Sequence, residues 1–137
     1  MEGSWVPGAE RARSIDDVLA LRPDLAEPLD DLKTKLRTGP VDAELLDVCE
    51  ALVRQRIGVP VTRAVPDTAS AGLDARTRTV LFLAEQFVID PHGIDVELRD
   101  AVLDHCSLAE LATLVQALAV FDALARMEAV LTRPDEE

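Results

Sequence analysis

The sequence predicts an all-α protein made of one domain with about six helices. Apolar residues recur at steps of three and four along the chain, the spacing of one helix face, and no segment shows the step of two that is typical of a strand. Hydrophobic residues make up 48% of the chain and aromatic residues only 3%, so Leu, Ala, Val and Ile must fill the core, and Leu and Ala favour helices. A length of 137 residues suits one domain with one core.

The N-terminal segments are predicted from their capping and proline signals. Residues 1–13 combine glycine and proline with polar side chains and are expected to form a flexible arm. Ser14 begins an S-x-x-D pattern, which predicts a first helix over 15–21. A second helix is expected over about 25–37, with Pro28 in its first turn or at a kink because proline disrupts a helix interior.

The stretch "GPVDAELLDVCEALVRQRIG" at 39–58 is the clearest amphipathic helix, with apolar residues every three or four positions. Pro40 is expected at the first helical position and Gly58 just after the last. Glu50 and Arg54 have the i,i+4 spacing of an ion pair on the helix surface.

Three further helices follow a loop that is rich in proline, glycine and small residues. Each begins after a residue whose side-chain oxygen can accept a hydrogen bond from the first turn. The third also has Glu110 in a capping box. The helices and their capping residues are 73–90 with Asp74, 94–105 with Asp95, and 107–131 with Ser107.

The last helix, 107–131, is apolar on nearly all sides, since only Thr113 and Gln116 are polar between Leu111 and Phe121. A helix of this kind is buried on several sides, so we expect a central helix or a subunit interface. The domain is therefore predicted to span 14–131, followed by an acidic tail over 132–137.

The charge of the chain excludes several classes of partner. A net charge of −12 argues against nucleic acid, which needs a basic face, and against an anionic membrane surface. No run of about 18 apolar residues predicts a membrane span, and the N-terminus lacks the apolar segment of a secretory signal, so a cytoplasmic protein is expected. No motif predicts a metal site or a cofactor site.

The order of these segments resembles that of a known superfamily. A helix reading "P-x-x-x-E-L-L" that ends in glycine is followed by "LDARTRTVLFLAEQF", "DVELRDAVLDH" and the long "SLAELATLVQALAVFDALARMEAVL". This pattern, over roughly 25–131, is similar to the AhpD-like superfamily, which contains alkylhydroperoxidase D and the carboxymuconolactone decarboxylases. The resemblance implies an all-α fold and oligomers formed by helix packing. We therefore expect a homo-oligomer through 107–131, or assembly with a related subunit.

The peroxidase members of that superfamily have a Cys-x-x-Cys at the start of the helix that follows the loop, a histidine a few residues later and a glutamate about a dozen residues before the first cysteine, and here we place Gly58 just before the motif. One thiolate attacks the peroxide, the second cysteine resolves it as a disulfide, and the histidine and glutamate move the proton. Carried onto this chain, the two cysteines fall on Val59 and Thr62, the histidine on Pro66 and the glutamate on Asp47. Valine cannot act as a nucleophile and proline cannot move a proton, so the motif is degenerate.

Acid–base groups remain for a decarboxylase-like reaction on a small organic substrate. The candidates are Glu44, Asp47, Glu85 and His105, while His92 in "DPHG" is typical of a turn. Each candidate also has a plain structural interpretation: carboxylates occupy polar helix faces, and a histidine at a helix C-terminus interacts with the helix dipole.

Three functions are consistent with the sequence. The first, which we prefer, is a binding or assembly subunit without peroxidase chemistry. The second is a cofactor-independent acid–base enzyme, with a small-molecule ligand between helices or subunits. The third is a thiol peroxidase that uses Cys49 and Cys106, although these lie in different helices without Cys-x-x-Cys spacing.

Overall fold

A computed structural model describes residues 14–61 and 63–132. Within these residues there are six α-helices, one short 3₁₀ helix and no strand, which confirms the all-α prediction. The predicted arm at 1–13, Thr62 and the tail after Thr132 lie outside the described residues. The helices are α1 (Ile15–Leu19), α2 (Pro23–Arg37), α3 (Ala43–Ile57), α4 (Ala75–Ile89), α5 (Val96–Leu103) and α6 (Leu108–Leu131), with the 3₁₀ helix at Pro91–Gly93 between α4 and α5.

The predicted capping residues set the helix ends. Asp74 and Asp95 each accept a hydrogen bond from the backbone N–H three residues on, at 2.7 and 2.9 Å. Ser107 and Glu110 form the full capping box at the start of α6. Gly58 ends α3 with a φ of 97°, a left-handed conformation that side-chain-bearing residues rarely adopt.

Several predicted boundaries were wrong, and α5 also ends at Leu103, two residues before its expected end. Pro40 precedes α3, because Asp42 caps that helix by accepting the N–H of Leu45 at 3.1 Å. Helix α2 begins at Pro23 and not near residue 25, so Pro28 lies inside the helix and not in its first turn, while the alternative of a kink at Pro28 stays a prediction. Helix α1 ends at Leu19, two residues before the expected end.

The core lies around α3, which packs against both α4 and α6. Its fully buried side chains include Leu46 and Leu52 of α3, Leu81 of α4 and Leu118 of α6. Helix α5 packs against α4 and α6, and α1 and α2 also contact α6. Helix α4 also contacts α6, so all five other α-helices pack against α6.

The side of α6 that faces away from the core is also apolar. Only Gln116 and Arg126 are polar among its exposed residues, and none of them is acidic. The helix is thus buried on one side only, whereas its sequence predicted burial on several. We call this exposed set the α6 outer face: Leu108, Ala109, Ala112, Val115, Gln116, Ala119, Ala123, Arg126, Met127, Ala129 and Val130.

In the part of the chain that the structure describes, α6 is the one helix long and apolar enough to cross a membrane, although the sequence predicted no such segment. This rests on length and composition alone, with 33% of the apolar window buried inside the protein. The core helix of a soluble protein meets the same criterion. The expectation of a cytoplasmic protein without membrane contact stays a prediction.

Glu128 of α6 is a buried acid, with 2% of its surface exposed. Its Oε1 accepts the backbone N–H of Ile15 at 2.9 Å, and its Oε2 accepts from Arg54 Nη2 at 2.8 Å. The carboxylate therefore holds the first residue of α1 and the last turn of α3 against α6. A negative charge at a helix N-terminus also interacts favourably with the helix dipole.

Replacing Glu128 with alanine should lower the free energy of unfolding by about 3 kcal/mol or more, because Arg54 is left without its buried partner. Urea denaturation followed by circular dichroism measures this. Glu27→Ala is the matched control, since Glu27 is exposed on α2, and it should change stability by about 0.5 kcal/mol or less. Equal losses in the two variants would contradict the role given to Glu128.

Candidate functional site

A polar cavity of about 220 Å³ lies beside α3, lined by Asp47, Glu50, Ala51, Arg54 and Arg63. Asp47 and Arg54 lie two turns apart on α3, and Glu50 and Ala51 lie three or four residues from each of them, so these four share one face of the helix. Arg63 comes from the segment after Gly58, where the resemblance places the active-site motif. We call this space the polar cavity.

Ion pairs surround the polar cavity. Arg63 Nη2 lies 2.8 Å from Glu44 Oε1, beside the helix face that holds Asp47. Arg37 of α2 donates to Asp47 and, at 3.4 Å, to Glu50 Oε1. Carboxylate and guanidinium groups therefore both surround the cavity, and the ion pairs fix their orientation.

Arg54 does not pair with Glu50 as the sequence predicted. Its Nη2 binds Glu128, and its Nε donates to the carbonyl oxygen of Pro60 at 2.8 Å. The i,i+4 spacing was correct, but α2 and α6 bring other partners close to each residue. Because these partners are distant in sequence, helix periodicity could not predict them.

Arg63 has an unsatisfied donor at the cavity wall. Its Nε is buried and lacks a hydrogen-bond partner among the described residues. The guanidinium is held instead through its Nη2, which pairs with Glu44.

The charges of Glu44 and Arg63 stabilise each other. The hydrogen bond from Arg63 lowers the pKa of Glu44, and the same bond raises the pKa of Arg63. A carboxyl group with a lowered pKa is ionised at neutral pH, so it accepts hydrogen bonds and cannot serve as a proton donor. Glu44 is therefore suited to holding Arg63 in place and not to general-acid catalysis.

The predicted acid–base residues do not form one site. Asp47 lines the polar cavity and Glu44 reaches it through Arg63. Glu85 instead pairs with Arg56 at 3.3 Å, and His105 is exposed beyond the end of α5. His92 lies in the 3₁₀ turn with its side chain 97% exposed, which agrees with its interpretation as a turn residue.

The degenerate motif positions that the structure describes have structural roles. Val59 is buried and packs with the core, and its N–H bonds the carbonyl oxygen of Arg54 at 3.1 Å. Pro66 is half-buried. Sequence reasoning missed Arg37, Arg54 and Arg63 as parts of the site, although an arginine shortly after the helix-ending glycine was a usable signal for Arg63.

Neither cysteine is placed as a nucleophile. Cys49 is buried at 1% exposure, and this burial raises its pKa to about 12. Burial also raises the pKa of Cys106, partly offset by the nearby Arg76. Both cysteines are free thiols. A reactive cysteine needs a lowered pKa and access to solvent, and these two have neither.

Among residues 14–61 and 63–132, no group of three or more His, Cys, Asp or Glu side chains is arranged to hold a metal ion. The comparisons with known proteins add no family. No protein-family model matches the chain, and a search of curated proteins gives no significant match. The resemblance to the AhpD-like superfamily therefore stays a prediction.

The burial of both thiols predicts slow modification in the native protein. Cys49 should not react with a thiol-specific disulfide reagent at pH 8 over minutes, because its pKa near 12 leaves almost no thiolate. Both cysteines should react at once in guanidinium chloride, which is the internal control. Hydrogen peroxide should leave two titratable thiols, and a Cys49–Cys106 disulfide would contradict the structure.

Proposed function

We propose that this protein is an AhpD-like binding or assembly subunit without thiol-peroxidase chemistry, and that it self-associates through the α6 outer face. The observation that supports self-association most is the apolar character of that exposed face, on which only Gln116 and Arg126 are polar. Soluble monomeric proteins rarely expose large apolar patches, and such a patch usually marks an interaction site. The burial of both cysteines supports the loss of peroxidase chemistry.

The distribution of charge, and not the net charge, permits a second copy as the partner. Two copies that each have a net charge of −12 repel one another over most of their surface. The α6 outer face has no acidic residue, and Arg126 is its one charged member. It is thus a surface on which two copies can approach without bringing carboxylates together.

The residue order on the face fits an antiparallel pair of helices related by a two-fold axis at Ala119. In this register Leu108 lies opposite Val130. Ala112 lies opposite Arg126, where its small side chain leaves room for the larger one. Alanine near the axis permits the close approach, about 8–10 Å, of packed helices.

The length of α6 is sufficient for a stable contact. Its 24 residues span about 36 Å. A standard interface buries about 800 Å² on each partner, which requires contact along most of such a helix together with neighbouring residues. Exposed apolar residues occur along the helix from Leu108 to Val130, so contact along its length is possible.

Replacing Ala119 with arginine should convert the oligomer to monomer, because two guanidinium groups would meet at the symmetry axis. Size-exclusion chromatography with light scattering measures the mass, which should be at least twice that of one chain for the wild type. Ala69→Arg is the matched control, since Ala69 is exposed in the loop before α4, and it should keep the wild-type mass.

A wild type that stays monomeric at high concentration would contradict self-association. A second outcome would assign the α6 outer face to a membrane instead. In that case the wild type would sediment with neutral lipid vesicles and Ala119→Arg would not.

The polar cavity favours one second candidate, an acid–base enzyme acting on a small organic substrate. Asp47 is the one predicted acid–base residue that lines it, next to Arg54 and Arg63. Two guanidinium groups beside a carboxylate can bind and polarise a small acid or carbonyl compound. The cavity volume of about 220 Å³ limits that substrate to a small molecule.

If a screen of small lactones and oxo acids finds turnover, Asp47→Asn should reduce kcat/KM by about 100-fold, within the range for loss of an acid–base group. Glu85→Gln is the matched control and should retain the activity, because Glu85 lies outside the cavity and pairs with Arg56. Activity that survives Asp47→Asn would show that the chemistry is placed elsewhere.

A further inference from the structure

A second, larger cavity lies on another part of the domain and contains none of the predicted site residues. Its volume is about 400 Å³, and it opens between the end of α4, the 3₁₀ turn, α5 and the start of α6. Seven of its lining residues are apolar. We call it the apolar cavity, and its lining is Leu83, Phe87, Pro91, Ile94, Asp95, Val96, Arg99, Leu111 and Val115.

The chain path explains why this space is open. Helix α4 stops at Ile89, and the 3₁₀ turn then redirects the chain into α5. Phe87 and Ile94 pack against the core but remain partly exposed, and Val96 of α5 is 59% exposed. The cavity is within the range of about 300–1,000 Å³ that is usual for small-molecule sites, with mostly apolar walls and few polar groups.

We propose that the apolar cavity binds an uncharged amphipathic small molecule, with its apolar body against Phe87, Ile94 and Leu111 and a carbonyl or hydroxyl group at Arg99. The apolar walls supply most of the binding free energy, at roughly 25 cal/mol per Å² of apolar surface removed from water. The two charged residues of the lining, Asp95 and Arg99, fix the orientation of the polar end of the ligand.

The charges at Arg99 favour a neutral polar group over an acid. Arg99 donates through Nε and Nη2 to Asp100 Oδ1, at 3.2 and 3.1 Å. Asp95 lies one turn earlier and caps α5 through the N–H of Leu98 at 2.9 Å. Two carboxylates thus accompany one guanidinium, in a chain whose net charge is −12, and this field repels an anionic ligand.

A carbonyl or hydroxyl oxygen avoids that repulsion. It can accept a charge-assisted hydrogen bond from the Arg99 guanidinium without bringing a third negative charge to the site. A hydroxyl group can also donate to one of the neighbouring carboxylates. The ligand class is therefore a medium-sized ketone or alcohol and not a fatty acid.

The test uses the fluorescence of N-phenyl-1-naphthylamine, an uncharged apolar dye, with the full-length protein. The dye is displaced by 2-decanone, 1-decanol or decanoate, each below the concentration at which it forms aggregates. Decanone and decanol should displace it with at least tenfold lower midpoints than decanoate at pH 8. A wild type that does not bind the dye, or binds decanoate more tightly than decanone, would overturn the proposal.

Val96→Trp should fill the apolar cavity and weaken dye binding at least tenfold. Val61→Trp is the matched control, because Val61 is 39% exposed in the loop after α3 and lies outside the cavity. Val96 is suitable because it is exposed and is not a member of the α6 outer face, which shares only Val115 with the cavity lining. Equal dye binding in both variants would show that the dye occupies another surface.

The variant Arg99→Gln tests the polar contact of the ligand without filling the apolar cavity. It should weaken decanone binding roughly tenfold, the usual effect of losing a hydrogen bond to a charged group, and leave dye affinity unchanged. Unchanged decanone binding in Arg99→Gln would overturn the role of Arg99.

Discussion

The buried carboxylate of Glu128 is the interaction on which the arrangement of the domain depends. Its two oxygens hold the first residue of α1 and the last turn of α3 against the central helix α6. Arg54 extends the same network to the carbonyl oxygen of Pro60. One side chain therefore couples the N-terminal helix, the middle of the chain and the segment at the polar cavity. Loss of one partner from such a pair is costly, because the other charge is then left without a partner at a site that is largely closed to water.

The two sides of α6 have different roles. One side packs in the core of the domain, and the other remains exposed and can bind a partner. The inner side packs in the core through residues such as Leu114 and Leu118, and the outer side is exposed but equally apolar. A helix uniform in hydrophobicity cannot distinguish its two sides by sequence, so the fold of the other five helices decides which one is covered. The polar and apolar cavities have different linings. Charged side chains line the polar cavity, and apolar side chains form most of the apolar cavity.

Much of the fold could be predicted from local sequence patterns, since Asp74, Asp95, Ser107 and Gly58 act within one turn of their own helix. The site was harder to predict because its contacts join residues far apart in the chain. Asp47 was found through the resemblance, but its partner Arg37 comes from another helix, and Arg54 pairs with Glu128 at a separation of 74 residues. Glu85 and His105 were suitable residue types, but periodicity does not reveal which surfaces meet.

The turn at Gly58 has a consequence for how such a scaffold changes over time. The left-handed glycine and the bond from Arg54 to the Pro60 carbonyl act on the backbone of this segment. Its path therefore depends little on the identity of the exposed side chains that follow. A segment guided in this way accepts substitutions at its exposed positions without loss of the fold. Substitutions in this segment can thus change the chemistry of the polar cavity while the helices around it keep their positions.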